Sequence, residues 1–107
     1  MVIYKTKNSE YEEREINRVR AMFKITNHRE STYYQILGSF NPNEINIISN
    51  HNTLYLNERE LSLTQLINIL IPDVLLGNRI VGKLIQAKRE KFTLKDLIIT
   101  TPVESIR

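Results

Sequence analysis

The sequence predicts an α+β fold: an N-terminal helix, a three-stranded antiparallel meander, a pair of helices and a C-terminal edge strand. Three observations carry that expectation. An amphipathic stretch with a capping signal runs from Ser9 to Lys24. β-Branched and aromatic residues separated by turn signals fill Thr32 to Leu56. Helical spacing of apolar residues then returns on both sides of Pro72. A chain of 107 residues fits one small domain, residues 1–107, because two cores of ordinary size need more chain.

The first helix is expected over Glu10 to Lys24. Ser9 and Glu12 have capping-box spacing, in which serine and glutamate satisfy exposed backbone donors. Tyr11, Ile16, Val19, Met22 and Phe23 fall on one side of a 3.6-residue wheel. Glutamates come first and Arg18, Arg20 and Lys24 last, an order that complements a helix dipole. Thr32 to Phe40 reads as a strand ending at the turn Asn41-Pro42-Asn43. Glu44 to Ser49 and Thr53 to Leu56 read as two more strands, with a turn at Ser49-Asn50-His51-Asn52.

Helix returns after Ser62, an N-cap with Gln65 three residues on and Leu61 and Leu66 at hydrophobic-staple positions. Pro72 terminates it. A second helix of the pair is expected from Asp73 or Asn78 to about Lys91. One more turn is capped near Thr93, and Leu97 to Val103 forms a strand whose Pro102 favours an edge.

Composition excludes several classes of function. With 41% hydrophobic and 25% charged residues the chain is not a disordered tail. Cysteine is absent, which removes disulfides, thiolate metal sites and thiol nucleophiles and suits a reducing cytoplasm. The first residues lack the apolar core of a secretory signal. The apolar stretch Leu66 to Leu76 is interrupted by Asn68, Pro72 and Asp73, short of the roughly 18 residues of a membrane span. His28 and His51 sit in different predicted loops without carboxylates at metal-ligand spacing, and no glycine-rich phosphate loop follows a strand. The expectation is a cytoplasmic protein that is not an enzyme and uses no cofactor or metal.

Charge distribution points to a partner. The formal net charge is +3; residues 31–77 hold one cation against four acids, and residues 78–107 hold seven cations against three acids. A segregated positive surface suits a polyanion. With Val74 at the origin of a helical wheel, Val81, Leu84, Ile85, Ile80, Leu76 and Ala87 fill one half. Asn78, Arg79, Gly82, Lys83, Gln86 and Arg89 fill the other, with only Leu75 intruding. On such a helix Arg79 offers a bidentate bond to guanine, Gln86 or Asn78 pairs with adenine, and Lys83 and Arg89 neutralise phosphates. Gly82 leaves room for close approach of another molecule. Arg14, Arg18, Arg20 and Lys24 add a second cationic face, and one of Tyr33 and Tyr34 is free to stack on a base.

At fold level this helix pair resembles helix-turn-helix and winged-helix proteins, which set such a reader in the major groove. The resulting expectation is a small non-enzymatic nucleic-acid-binding regulator or accessory factor, for instance of a phage, plasmid or other mobile element, with duplex DNA the favoured partner of its basic helix face. The first helix provides a seam for a possible homodimer. The alternative is a protein-binding module or inhibitor that blocks a partner protein, using its strand edges.

Overall fold

The computed structural model describes residues 1–26, 29–50, 53–85 and 94–107. In chain order the strands are β1 (Val2–Lys5), β2 (Glu10–Ile16), β3 (Val19–Thr26), β4 (Arg29–Phe40), β5 (Ile47–Asn50), β6 (Thr53–Leu56) and β7 (Arg59–Leu61). Helix α1 (Leu63–Ile69) follows, then β8 (Arg79–Leu84), β9 (Leu97–Ile99) and β10 (Ser105–Ile106). Seven strands form one antiparallel sheet in the order β10-β1-β2-β3-β4-β8-β9, and β5-β6-β7 form a second. The fold is therefore mostly β, and the expected α+β arrangement with a helix-turn-helix or winged-helix pair is corrected.

The N-terminal helix is the hairpin β2–β3. Asn17 and Arg18 have φ of 51° and 66°, the left-handed pair of a two-residue turn whose twist matches the flanking strands. Ile16, Val19, Ile25 and Thr26 are β-branched, which favours the pleated arrangement over a helix. The drift from acids to bases, which mimics dipole compensation, is cross-strand pairing. Glu15 faces Arg20 across the hairpin, and Arg20 binds Glu13 two residues along the same face. Ser9 caps no helix; its carbonyl accepts from Thr6 N–H at 2.8 Å and closes the β1–β2 turn.

The meander is corrected in its membership. β5 and β6 pair, but their third strand is β7, whereas the Thr32–Phe40 stretch lies in the large sheet between β3 and β8. The Asn41 turn is present, with the Asn41 carbonyl accepting from Glu44 and Ile45. Helix α1 forms where expected: Ser62 and Gln65 make a reciprocal capping box, and Leu61 and Leu66 enter the same core. Among the described residues it has no α-helical partner. Arg79–Leu84 is a strand with β4 on one side and β9 on the other. A strand covered on both faces reads as a continuous apolar run, and on a helical wheel that run imitates a buried face. The segment from Gln86 to Thr93 lies outside the described residues. Leu94–Asp96 forms a 3-10 turn, and β9, shorter than the expected Leu97–Val103 strand, is an edge strand of the large sheet.

Two cores occupy opposite faces of the large sheet, because adjacent residues of β8 point oppositely. Ile80 packs with Tyr4, Tyr11, Met22, Ile36, Val74 and Val103. Val81 packs with Phe40, Leu54, Leu61 and Leu66 beneath the small sheet and α1. Irregular register in β4 between Ile36 and Gly38 lets that strand serve both.

Candidate functional site

The connection from α1 to β8 holds the unusual surface. β3 pairs with β4 only as far as Ala21 opposite Gln35, so the end of β4 lacks β3 as a neighbour. Ile71 takes that place. Ser39 N–H donates to the Ile71 carbonyl at 2.9 Å, and Ile71 N–H returns a bond to the Ser39 carbonyl at 3.0 Å. The approach is close enough that a Cβ on Gly38 would lie 2.3 Å from the Ile71 oxygen, so the position accepts only glycine without movement.

The next carbonyls are also held. Arg20 Nη1 donates to the Pro72 oxygen at 2.8 Å, and Ser39 Oγ donates to the Asp73 oxygen. Asn78 Nδ2, buried, donates to Ser39 Oγ at 3.0 Å and fixes that hydroxyl. Val74 then enters the core, and Gly77, at φ 85°, turns the chain into β8. Gly77 N–H bonds the Val103 carbonyl at 2.8 Å, and Asn78 N–H bonds the Leu75 carbonyl at 3.1 Å.

Apart from Val74, the side chains of residues 71–76 face outward. Leu75 is 49% and Leu76 64% exposed, and Ile67 and Ile71 are 41% exposed. These four of the seven exposed large apolar residues among the described residues fall within ten positions of one another. Single exposed aliphatics are ordinary; four within ten positions are a concentration along the chain.

Arg20 belongs to a polar chain on the neighbouring strands. Its Nη2 and Nε donate to the two Glu13 oxygens at 2.9 and 3.3 Å, and Tyr4 Oη donates to Glu13 Oε1. Burial pushes the Tyr4 hydroxyl up to about 12, and the adjacent Glu13 carboxylate adds to the rise. Burial alone would raise Glu13, but bonds from Arg20 and Tyr4 outweigh it and hold its carboxyl below the ordinary range. The same pairing raises the Arg20 guanidinium further.

Of the six residues expected on a nucleic-acid-reading helix, the four that are described, Asn78, Arg79, Gly82 and Lys83, are not brought to one face. Asn78 is 5% exposed and spent on Ser39; Gly82 is enclosed by Met22, Tyr34 and Ile98 of its own sheet. Arg79 is half-buried and donates to the Thr100 carbonyl at 3.2 Å. Lys83 is 8% exposed and sits between Gln35 and Leu97 in the sheet. Strand alternation puts Arg79 and Lys83 on the face opposite Gly82. Gln86 and Arg89 lie outside the described residues, as do His28 and His51. Arg14 pairs with Glu12 at 2.6 Å and lies over the Phe23 ring, so the second cationic face is also divided. Tyr34 packs into the core, and Tyr33 meets Phe23 edge to face.

Sequence reasoning missed Ser39 and Ile71, gave Arg20 to a phosphate-contacting face instead of the Pro72 carbonyl, and put Leu76 on the core side, where the structure exposes it. One signal was available: Leu75, an apolar residue in the polar half of the wheel. Among the described residues no three His, Asp or Glu side chains converge as metal ligands, and no helix is long and apolar enough to cross a membrane. No protein-family description, no curated protein and no solved structure matches the chain at a significant level.

Proposed function

We propose that this chain is a protein-binding module whose contact surface is the apolar stretch Ile67 to Leu76. One observation carries the reading: consecutive carbonyls at Ile71, Pro72 and Asp73 are each held by the sheet while Ile71, Leu75 and Leu76 face solvent. Apolar side chains on a fixed backbone lose little conformational freedom on binding, so more of their burial appears as affinity. Leu75 and Leu76 serve as the anchors that fill an apolar cleft on the partner. Duplex DNA binding receives less support, because Asn78, Arg79 and Lys83 are buried or engaged within the fold. A cytoplasmic setting belongs to this reading and rests on the cysteine-free composition.

The test compares the parent chain with Leu75→Ser/Leu76→Ser. The parent retains one stoichiometric protein, insensitive to nuclease, and the double variant loses it without a fall in thermal stability. A gel shift with duplex DNA across a salt series runs beside it. Steeply salt-dependent DNA binding that survives the double substitution, with no protein retained, sinks the reading.

A further inference from the structure

The anchors of the contact stretch differ in kind. Ser39 acts from within the sheet and is fully buried, whereas Arg20 reaches across from β3 with a side chain 43% exposed. The carbonyls of Ile71 and Asp73 are taken by Ser39, and Arg20 takes the one between them. A guanidinium suits this task, because its fork bonds a carboxylate with two donors and keeps others for a carbonyl. Tyr4, 4% exposed, steadies the Glu13 carboxylate from the core side. The result is a relay across three strands: Tyr4 on β1, Glu13 on β2 and Arg20 on β3, ending on the Pro72 oxygen.

We propose that Arg20, aligned by Glu13 and Tyr4, is the positioning residue of the contact stretch, holding the Pro72 carbonyl so that Leu75 and Leu76 stay presented to a partner protein. Its biological meaning rests on the protein-binding reading. The clamp itself is tested without a partner. Arg20 contributes no side chain to either core, so its loss leaves both cores packed and loosens one segment.

Amide hydrogen exchange on the whole chain reads this directly. In Arg20→Gln, exchange at Ile71, Gly77 and Asn78 accelerates about fivefold or more, the scale of losing one partly exposed charged anchor. Exchange at Leu66, bonded to Ser62 in α1, stays unchanged. Arg20→Lys gives a smaller acceleration confined to the same amides, since one ammonium cannot span Glu13 and Pro72 together. Equal acceleration at Leu66, or none at Ile71 and Gly77, overturns the proposal and leaves Arg20 a general stabiliser or a bystander. If Arg20→Gln does not fold, the lysine variant decides by the same comparison. Normal clamp behaviour without any captured protein sinks only the binding reading. Capture lost on Leu75→Ser/Leu76→Ser but with no localised exchange in the Arg20 variants sinks only the clamp.

Discussion

The β2–β3 turn and the Ile71–Gly77 segment both redirect the chain, by opposite means. The turn is made by two adjacent residues, Asn17 and Arg18, whose left-handed backbone matches the twist of the strands they join. The segment is held by groups remote in sequence: Arg20 is 52 positions from Pro72, and Ser39 is 34 from Asp73. A local turn forms as soon as its strands meet. A remotely anchored segment needs the sheet to exist first, and it can then hold apolar side chains outward that would otherwise fold back. Surface apolarity with a fixed backbone is thus a product of tertiary structure, and three measurements bear on that contrast.

The largest effect is expected at Gly38. Its substitution by alanine places a carbon 2.3 Å from the Ile71 carbonyl oxygen, a backbone atom that cannot swing aside, at a φ of 148°. Either β4 or the segment must move, and the loss is about 3 kcal/mol, in the range of backbone-strain substitutions. Chemical denaturation measures the total. Exchange at Ile71 shows whether the segment is what gave way. A loss under about 0.5 kcal/mol would mean that the segment's attachment is soft, and the contrast with the hairpin would collapse.

Smaller effects follow from the titration of the relay. Glu13 has a folded-state value below its unfolded one, so its stabilisation is present above the ordinary carboxylate range and disappears as pH falls through the lowered value. Tyr4 has the opposite sign. Its neutral form is favoured in the fold, so stability is full below pH 10 and declines between about 10 and 12 as the unfolded chain ionises first. Tyr4→Phe abolishes that position's alkaline decline, whereas the acid decline remains because Arg20 still holds Glu13. Thermal melts at pH 7 and across pH 9.5 to 11.5 test this. An undiminished alkaline decline in Tyr4→Phe assigns it to other tyrosines and removes Tyr4 from the relay.

The same division between local and remote forces explains what was legible in the sequence. Helix α1 was readable because its determinants, Ser62, Gln65, Leu61 and Leu66, lie within six positions of one another. The Asn41 turn was readable for the same reason. The β2–β3 hairpin carried its signal in Asn17 followed by Arg18, but the spacing of Tyr11, Val19 and Met22 fits a helical wheel as well as two strands. β8 was obscured by burial on both faces, which erases the alternation that distinguishes strand from helix. Candidate site residues were the least readable. Nothing near Ser39 or Arg20 announces that each binds a carbonyl of the Ile71–Gly77 segment, because those pairings exist only once β3, β4 and that segment meet.

The smallest expected effect sharpens the contrast from the local side. Arg18 and Glu58 hold φ of 66° and 67° at the second position of their two-residue turns, where a side chain crowds the backbone by about 1 kcal/mol. Glycine relieves that crowding, although the freedom it adds to the unfolded chain returns part of the gain. Arg18→Gly and Glu58→Gly should each stabilise the fold by about 0.5 kcal/mol, read as a rise in denaturation midpoint without a change in slope. Asn17 and Asn57 already tolerate the left-handed region, so glycine there should add less. The two hairpins lie in different sheets, so the double substitution should give the sum of the singles. Altered exchange at Ile71 in either variant would show that the turns communicate with the anchored segment, and the division into local and remote determinants would then fail at its simpler end.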